Sequence, residues 1–319
     1  MSTNVTRRAL GASGIETPAL ILGGNVFGWT ADKATSFAVL DRFSEGGGTL
    51  IDTADVYSAW VPGHQGGESE AIIGEWLASS GKAGKVKVAT KVGMLDGEGG
   101  TKLAPARIAA ACDASLKRLG VETIDLYFAH QDDENVPQEE VLAAFDKLIK
   151  AGKVQAIGAS NFHAARLKSA LDIATREGLP HYRALQNEYH LLSRHKFEGE
   201  LQDLCVQYNV GCVPFYGLAS GYLTGKYRSE ADLGKSVRGG RMPAFMEGKG
   251  PAMLAAMDEV AAETGASLAQ IALAWLAAQP GVTAPIASAT SLAQVDELLG
   301  SLNVTLTPAQ LDKLTEVGA

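Results

Sequence analysis

Short apolar runs alternate with amphipathic segments along almost the whole chain. The amphipathic segments repeat apolar positions every three to four residues, which is typical of helices that bury one face. Several of them, such as PARIAAACDASLKRLG, end in glycine, a common terminator of helices. The apolar runs predict buried strands, and they read LILGG, TLID, VKVATK, IDLYFAH, VQAIGAS, ALQNEY, GCVPFYG and VTAPIAS.

The predicted strands end at nearly regular intervals. The first interval is 28 residues and ends at Asp52, the next two are 39 residues each and end at His130, and three intervals of 28 residues follow to Pro214. Eight strand–helix units are complete by Pro285, which predicts one (β/α)8 TIM barrel domain over residues 1–319. A doubly wound sheet is the rival fold, but the first turn reads GGNVFG, which does not fit G-x-G-x-x-G.

Two further features accompany the predicted barrel. The opening RALGASGIETP predicts an N-terminal β-hairpin. After the seventh strand, the segment 218–251 is rich in glycine and charge, and its length predicts a structureless loop that serves as a lid. Its basic residues Lys226, Arg238 and Arg241 would suit a phosphate-bearing ligand beneath it, and the alternative is a solvated mobile loop.

Composition narrows the classes of function. The 319 residues are 46% hydrophobic and 20% charged, and the net charge of −8 argues against a nucleic-acid or anionic-membrane surface. The N-terminus lacks the apolar region of a secretory signal, which favours a cytoplasmic protein. Cys112, Cys205 and Cys212 show no C-x-x-C spacing, so we expect buried free thiols rather than reactive nucleophiles.

Four polar residues near strand ends form the strongest chemical signal. Asp52, Lys91 and His130 end three consecutive strands, and Tyr57 lies five residues after Asp52. Because the carboxyl ends of barrel strands meet at one rim, these side chains should converge there. A lysine beside the tyrosine would favour the phenolate and lower the pKa of the phenol. The carboxylate would fix the position of the lysine, and the imidazole would polarise a carbonyl oxygen. Together the four residues predict a site that donates a proton to a carbonyl.

Each of these residues also has a structural explanation when it is taken alone. A strand-end lysine or aspartate is commonly half of an ion pair, and Tyr57 or His130 could simply pack in the core. The joint pattern favours chemistry, and because no side chain supplies a hydride, it implies a bound dinucleotide. No H-E-x-x-H motif is present, and although the acidic run 131–134 could imitate a metal site, we predict no metal.

The same residues closely resemble the aldo-keto reductase family. The matching phrases are RALGASG, LGGNVFG, TLIDTADVYS, ATKVG, IDLYFAHQDD, IGASNF, LQNEYHLLSR, LASGYLTGKY and PIASATSLAQVDELLGSL. The resemblance extends over essentially the whole chain. It implies Asp52, Tyr57, Lys91 and His130 as catalytic residues. It also implies a nicotinamide cofactor bound across the barrel mouth without a Rossmann domain, with NADP favoured and NAD as the alternative.

The resemblance also implies contacts to that cofactor. Ser160, Asn161 and Gln186 would hold the nicotinamide carboxamide. Phe215 would stack on the nicotinamide ring, and Tyr216 stands beside it where the family often has a small residue. The other expected contacts are the backbone amides of Gly24 and Asn25, then Asp52, Gly217, Leu218, Ala219, Ser220, Lys226, Arg241, Ser288, Thr290, Gln294 and Glu297.

The adenosine end departs from the commonest family pattern. Ser288 stands where glycine is usual, Thr290 where arginine is usual, and Leu298 where asparagine is usual, whereas Gln294 and Glu297 are retained. A threonine hydroxyl and a helix N-terminus can still bind a 2′-phosphate, so NADP stays favoured.

The reaction that the resemblance implies is the reversible reduction of an aldehyde or ketone to the alcohol, with Tyr57 as general acid and base. Phe27, Trp29, Trp60 and Phe162 follow predicted strands, and each is expected either to wall an apolar substrate pocket or to pack in the core. The alternative is a nucleotide-binding regulatory or redox-sensing subunit with slow residual reductase activity. The expected partner is a small carbonyl or alcohol rather than a nucleic acid or membrane, and the oligomeric state stays open.

Overall fold

Eight parallel strands form the centre of the structure, a computed structural model that describes residues 5–318. They lie side by side in chain order, with the eighth beside the first. Two antiparallel strands, β1 (Arg8–Ala9) and β2 (Glu16–Thr17), precede them and form the predicted hairpin. The eight strands are β3 (Ile21–Gly23), β4 (Leu50–Asp52), β5 (Lys87–Val92), β6 (Ile124–Ala129), β7 (Val154–Ser160), β8 (Ala184–Gln186), β9 (Gly211–Cys212) and β10 (Ile286–Ala287).

Backbone hydrogen bonds close these strands into a barrel. β10 pairs with β3, and the residues just before β10 reach β9 on the other side. Cys212 bridges Val282, and the Thr283 amide donates to the Cys212 carbonyl at 2.8 Å. The Ile286 amide donates to the Pro214 carbonyl at 2.9 Å. The predicted (β/α)8 barrel is therefore confirmed.

Helices cover the outside of the barrel, as the hydrophobic period predicts. Asp32 caps the first helix by accepting from the Thr35 amide at 2.8 Å, and Gly120 ends the third with a φ of 66°. Within residues 5–318, no single helix is long and apolar enough to cross a membrane. The helices Gly250–Thr264 and Leu268–Ala277 meet these criteria only together, and they are bent by 94° relative to each other. The helices are α1 (Lys33–Glu45), α2 (Glu68–Ser80), α3 (Pro105–Leu119), α4 (Gln138–Lys150), α5 (Ala164–Glu177), α6 (Glu200–Tyr208), α7 (Pro243–Met246), α8 (Gly250–Thr264), α9 (Leu268–Ala277), α10 (Leu292–Gly300) and α11 (Pro308–Gly318).

Apolar side chains fill the barrel, so its interior is a packed core. Phe128 on β6 occupies space beside β7 that only glycine leaves free, because a Cβ on Gly158 would lie 2.4 Å from the Phe128 ring. Leu10 and Ile15 of the hairpin belong to the same buried cluster and cover the end of the barrel opposite the strand C-termini. The other members are Ile21, Leu50, Ala89, Leu126, Phe128, Ala156, Ala184, Val213, Ala284 and Ile286.

The segment 218–251 corrects one expectation, because it is not a structureless loop. It contains three 3-10 helices, Ala219–Thr224, Glu230–Lys235 and Gly239–Arg241, followed by α7. Local capping stabilises the second of these 3-10 helices. The Ser229 amide donates to the Asp232 carboxylate at 2.9 Å, and the two residues form a reciprocal capping box.

The last helix is an element that the hydrophobic pattern does not predict. α11 begins behind Thr307, whose amide donates to the Gln310 side chain at 2.9 Å. The Thr307 hydroxyl accepts in turn from the Gln310 amide at 3.3 Å. The T-x-x-Q spacing is a capping signal that could have identified the helix from the sequence.

The three cysteines lie where the sequence predicts them, on α3, α6 and β9, and all three are buried free thiols. Burial raises the pKa of Cys112 and of Cys205 to about 12. These thiols therefore stay protonated near neutral pH, which makes them poor nucleophiles.

The contact between α2 and α3 yields a stability prediction. A Cβ on Gly74 would lie 2.2 Å from the Arg118 carbonyl oxygen, and this backbone atom cannot move aside without shifting α3. We expect Gly74→Ala to lower the free energy of unfolding by about 2 kcal/mol or more, although alanine favours helices. Urea unfolding would measure the change. Gly234→Ala is the control, since nothing lies within 4 Å of its Cβ position. Equal stability of both variants would contradict the prediction.

Candidate active site

Lys91 occupies the centre of the site at the C-terminal rim of the barrel. Its side chain is fully buried and projects from β5 toward the residues that end β4. The ammonium lies 2.7 Å from Asp52 Oδ2 and 2.8 Å from the Tyr57 hydroxyl. It also donates to the Thr53 carbonyl at 2.7 Å. All three groups come from β4 and the loop after it, so the parallel pairing of β4 with β5 assembles the contacts.

Tyr57 and His130 meet beside this ammonium. The Tyr57 ring lies edge to face against the His130 ring, with 5.9 Å between their centroids. The Tyr57 hydroxyl is 3.4 Å from Asp52 Oδ2. Asn161 donates to the backbone carbonyl of His130 at 2.9 Å and holds that strand end in place. The structure thus brings together the four residues that the sequence singled out.

The protonation states of these residues follow mainly from burial. Burial, followed by the negative charge of Asp52, raises the pKa of Tyr57 well above its ordinary value. This corrects the expectation of a lowered pKa, because desolvation and Asp52 outweigh the nearby ammonium. Burial lowers the pKa of Lys91, and the charge of Asp52 opposes that shift. Burial and then the charge of Lys91 lower the pKa of His130 well below its ordinary value, so its imidazole is neutral near pH 7.

A cleft of about 820 Å³ opens above these groups, at the upper end of the size range for small-molecule sites. Of the predicted site residues, Asn25, Asp52, Tyr57, Trp60, His130, Ser160, Asn161, Gln186, Phe215, Tyr216, Gly217, Leu218, Ser220, Lys226, Ser288, Thr290, Gln294 and Glu297 line it. Lining residues that the sequence did not single out include Val26, Thr30, Met94 and Lys235. Met94 lies two residues beyond β5, so the strand-end argument could have found it.

Phe27, Phe162 and Gly24 are among the predicted residues that do not line the cleft. Phe27 and Phe162 are buried in the core between the barrel and the helices, so neither walls a substrate pocket. Phe162 instead packs edge to face on Tyr182 with 5.6 Å between the rings. The Gly24 amide donates to the Asp52 carbonyl at 2.7 Å, so it is already engaged within the protein. Side-chain direction at a strand end depends on tertiary packing, which the sequence position does not specify.

Trp29 and Trp60 form part of the rim rather than a continuous wall. Their rings meet edge to face at 5.6 Å, and Trp60 also lies 6.1 Å from the Tyr57 ring. Only Trp60 lines the cleft, and Trp29 packs beneath the Arg238 guanidinium at 5.9 Å. This cation–π contact joins the segment 218–251 to the loop after β3.

Three cations from the segment 218–251 face the cleft, namely Lys226, Lys235 and Arg238. Arg241, which was expected to contact a cofactor, does not line it, and its guanidinium instead donates to the Tyr216 hydroxyl at 3.3 Å. Lys235 pairs with Asp232 at 2.7 Å. Among the ion pairs of residues 5–318, none includes Lys226 or Arg238. Burial lowers the pKa of Arg238, so this site favours an anion that would offset the desolvated charge.

Amide side chains border the cleft next to Asp52. Gln186 donates to Asp52 Oδ1 at 2.8 Å, and Asn161 donates to the His130 carbonyl. Both amide nitrogens are therefore engaged by the protein, and their orientation is fixed. Asn161 has a left-handed φ of 57°, and Tyr216 and Ser220 on the opposite loop have φ of 58° and 57°. Such conformations cost energy in residues other than glycine and concentrate at ligand sites.

Polar groups also organise the far end of the cleft. Ser288 donates to Asn25 Oδ1 at 2.5 Å, which joins the ends of β10 and β3. The Thr290 amide donates to the Gln294 side chain at 2.8 Å, just before α10 begins. The hydroxyl of Thr290 donates to the same oxygen at 3.1 Å. The threonine that stands in place of arginine thus orients Gln294, which lines the cleft.

The acidic run after His130 serves structural contacts. Asp132 binds the Arg166 guanidinium through both oxygens, at 2.5 and 3.1 Å. Asp133 accepts from the Asn135 amide at 3.2 Å. In the part of the chain that the structure describes, no three His, Cys, Asp or Glu side chains are grouped to hold a metal ion.

A second carboxylate, Asp55, lies buried behind the site. It is only 2% exposed, and within residues 5–318 neither of its oxygens accepts a hydrogen bond. Its nearest ion-pair partner is Arg107, at 3.6 Å. Burial and then the charge of Glu70 raise the pKa of Asp55 to about 7. No motif in the sequence distinguishes this residue from its neighbours.

The chain is also similar in sequence to known proteins. A sequence model of the Aldo/keto reductase family matches residues 19–319. "Uncharacterized oxidoreductase YrpG" of Bacillus subtilis (strain 168) is 32% identical, and the alignment covers 97% of this chain and 94% of that protein. "Probable voltage-gated potassium channel subunit beta" of Oryza sativa subsp. japonica is also 32% identical, over 97% of this chain and 95% of that protein.

The buried Asp55 predicts a pH-dependent stability difference. Its folded-state pKa, about 7, lies above the ordinary value of 3.8, so the wild-type protein loses stability as pH rises through this window. Asp55→Asn removes the charge, and we expect it to raise the free energy of unfolding by about 2–4 kcal/mol near pH 8 and by less near pH 5. Urea unfolding at both pH values measures this. The matched control is Asp172→Asn, in an exposed pair with Lys168. A gain equal at both pH values would contradict the prediction.

Proposed function

The chain belongs to the aldo/keto reductase family, and from this we propose that it is an NADP(H)-dependent enzyme that reversibly reduces an aldehyde or ketone to the alcohol. The observation that carries the proposal is the position of the Lys91 ammonium, which lies between Asp52 Oδ2 at 2.7 Å and the Tyr57 hydroxyl at 2.8 Å. This arrangement suits a proton donor whose developing negative charge needs a fixed cation.

In the reduction, Tyr57 donates its proton to the carbonyl oxygen of the substrate. Its raised pKa keeps the hydroxyl protonated near pH 7, and the ammonium stabilises the phenolate as the proton leaves. Asp52 and the Thr53 carbonyl hold the ammonium toward Tyr57, so no large rearrangement is needed during transfer. In the oxidation direction, the phenolate takes the proton back from the alcohol.

His130 positions the carbonyl in this proposal. Its imidazole is neutral and lies beside the Tyr57 ring, so one ring nitrogen can donate a hydrogen bond while the other accepts. The Nδ1 atom is buried and has no hydrogen-bond partner within residues 5–318. A neutral donor next to Tyr57 orients the substrate oxygen without competing for the proton.

The cleft fits a nicotinamide dinucleotide, which would supply the hydride when it is bound. Its lining includes Tyr57 and His130 as well as Glu297 on α10, and its cations come from the segment 218–251. Gln186 and Asn161 would meet the carboxamide through their amide oxygens, and Phe215 offers a ring for stacking. Lys226 and Arg238, which have no ion-pair partner within residues 5–318, would bind phosphate groups, which favours NADP over a neutral ligand.

The substrate would enter over an apolar rim. Trp60 is 47% exposed, Met94 41% and Tyr216 40%, and all three line the cleft close to Tyr57. Exposed apolar groups of this size at a cleft favour a ligand with an apolar body. We therefore expect a small uncharged carbonyl compound or its alcohol as the partner of this site.

A second candidate function is a nucleotide-binding regulatory subunit with slow residual turnover. It is favoured by the similarity to the rice protein that is named a probable channel β subunit. The two functions differ in turnover. Tight nucleotide binding with very slow reduction of every carbonyl in a panel would favour the regulatory subunit, whereas ready multiple turnover would favour the enzyme.

Tyr57→Phe tests the proposed proton donor. We expect kcat to fall by about a hundredfold or more, because the variant lacks the transferable proton. The affinity for NADPH, measured by fluorescence titration, should change by less than about threefold, since the substitution keeps the ring. Turnover is followed by loss of nucleotide absorbance with a panel of aldehydes and ketones. Tyr208→Phe on α6 is the control, and undiminished turnover in Tyr57→Phe would overturn the assignment.

Arg238→Gln tests the proposed phosphate contact. Because the guanidinium lines the cleft and has no ion-pair partner in the described part of the chain, we expect its loss to weaken NADPH binding by about tenfold or more. A loss greater for NADPH than for NADH assigns the contact to the 2′-phosphate, and equal losses assign it to the pyrophosphate. Arg228→Gln is the matched control, since Arg228 pairs with Asp258 at the surface. Unchanged affinity for both nucleotides would contradict the contact.

A further inference from the structure

A buried polar cluster lies on the outer face of the barrel, directly behind Lys91. Side chains on β5 alternate, so that Lys91 projects toward the cleft while Thr90 projects toward α2. The cluster occupies the space between the sheet and helices α2 and α3. Its members are Asp55, Glu70, Thr90, Arg107, Arg118 and Tyr127.

Glu70 in this cluster has a complete structural explanation. Its carboxylate is fully buried, accepts from the Thr90 hydroxyl at 2.5 Å and binds the Arg118 guanidinium at 2.7 Å. These bonds tie α2 to β5 and to the end of α3. A buried carboxylate with such partners is expected in a protein core.

Asp55 has no comparable explanation. Its backbone amide donates to the Lys91 carbonyl at 3.2 Å, yet neither of its carboxylate oxygens accepts a hydrogen bond within residues 5–318. The Arg107 guanidinium at 3.6 Å is too distant for one. An isolated buried carboxylate destabilises the folded protein, so its presence next to the site calls for a functional reason.

The groups that face Asp55 from each neighbouring element decide how it titrates. Glu70 comes from α2, Arg107 and Arg118 from α3, Lys91 from β5 and Tyr127 from β6. Burial and Glu70 raise the pKa of Asp55 to about 7, and the two arginines oppose them. After Asp52, Asp55 is the carboxylate whose charge does most to keep the proton on Lys91.

We propose that Asp55 is a positioning residue, whose ionised carboxylate holds Lys91 in the ammonium form beside Tyr57. The inference rests on the proposed reductase function. As the pH rises through about 7, Asp55 becomes charged and Lys91 binds its proton more tightly. The ionised carboxylate therefore opposes the loss of the Lys91 proton as the pH rises, and activity extends further into the alkaline range.

The pH profile of Asp55→Asn tests this inference, because asparagine mimics the neutral form of the aspartate. Near pH 6, where wild-type Asp55 is mostly protonated, we expect kcat of the two proteins to agree within about twofold. Toward pH 9 the variant should fall several-fold below the wild type, with its alkaline limb moved down by about half a pH unit or more. KM should change little, since Asp55 touches no part of the cleft.

The control in this experiment is Asp172→Asn, whose profile should follow the wild type at every pH. A purely structural role for Asp55 would change kcat by the same factor at all pH values. A wild-type to variant ratio that stays constant from about pH 6 to pH 9 would overturn the inference.

A double-mutant cycle tests the same coupling without any assay of turnover. Asp55→Asn, Lys91→Met and the double variant are unfolded in urea near pH 6 and near pH 8.5. We expect the shifts of the midpoints to add near pH 6 and to deviate clearly from additivity near pH 8.5. Additivity at both pH values would overturn the inference. If Lys91→Met does not fold, the pH profile alone decides, and if the wild type reduces no carbonyl, the proposed function fails while the cycle still tests Asp55.

Discussion

The buried ammonium of Lys91 is the interaction on which the site depends. A fully buried cation keeps its charge only when neighbouring groups replace the water it has lost, and here Asp52, the Thr53 carbonyl and Tyr57 do so within 2.8 Å. These partners lie 34 to 39 residues away from Lys91 in the chain. Only the register between β4 and β5 places them around the ammonium. The site therefore forms only when the barrel forms.

Strand β5 carries polar side chains on both faces, and this connects the site to the helical layer. Lys91 faces the cleft, while Thr90 binds Glu70, which in turn binds Arg118 on α3. The Asp55 amide is bonded to the Lys91 carbonyl, so the loop that carries Tyr57 is anchored to the same strand. The helices therefore do more than cover the barrel, because their charges contribute to the field at the ammonium.

The cleft contains two kinds of chemistry. Asp52, Tyr57 and His130 line it together with cations from the segment 218–251. At the last turn of the barrel, where the family commonly has arginine, Thr290 instead orients Gln294. The cations that line the cleft, Lys226, Lys235 and Arg238, thus come from that segment, and the residues of α10 that line it add no positive charge.

The sequence by itself determined the order of strands and helices, and with it the barrel and the convergence of Asp52, Lys91 and His130. Both follow from local patterns, since hydrophobic period marks the elements and parallel connections bring strand ends to one rim. The same patterns did not reveal that Phe27 and Phe162 point into the core or that segment 218–251 is helical in part. Nor did they reveal the raised pKa of Tyr57 or the isolation of Asp55. These properties depend on burial and on charges from distant segments of the chain. Both are set by tertiary packing, because packing determines the distances between those segments.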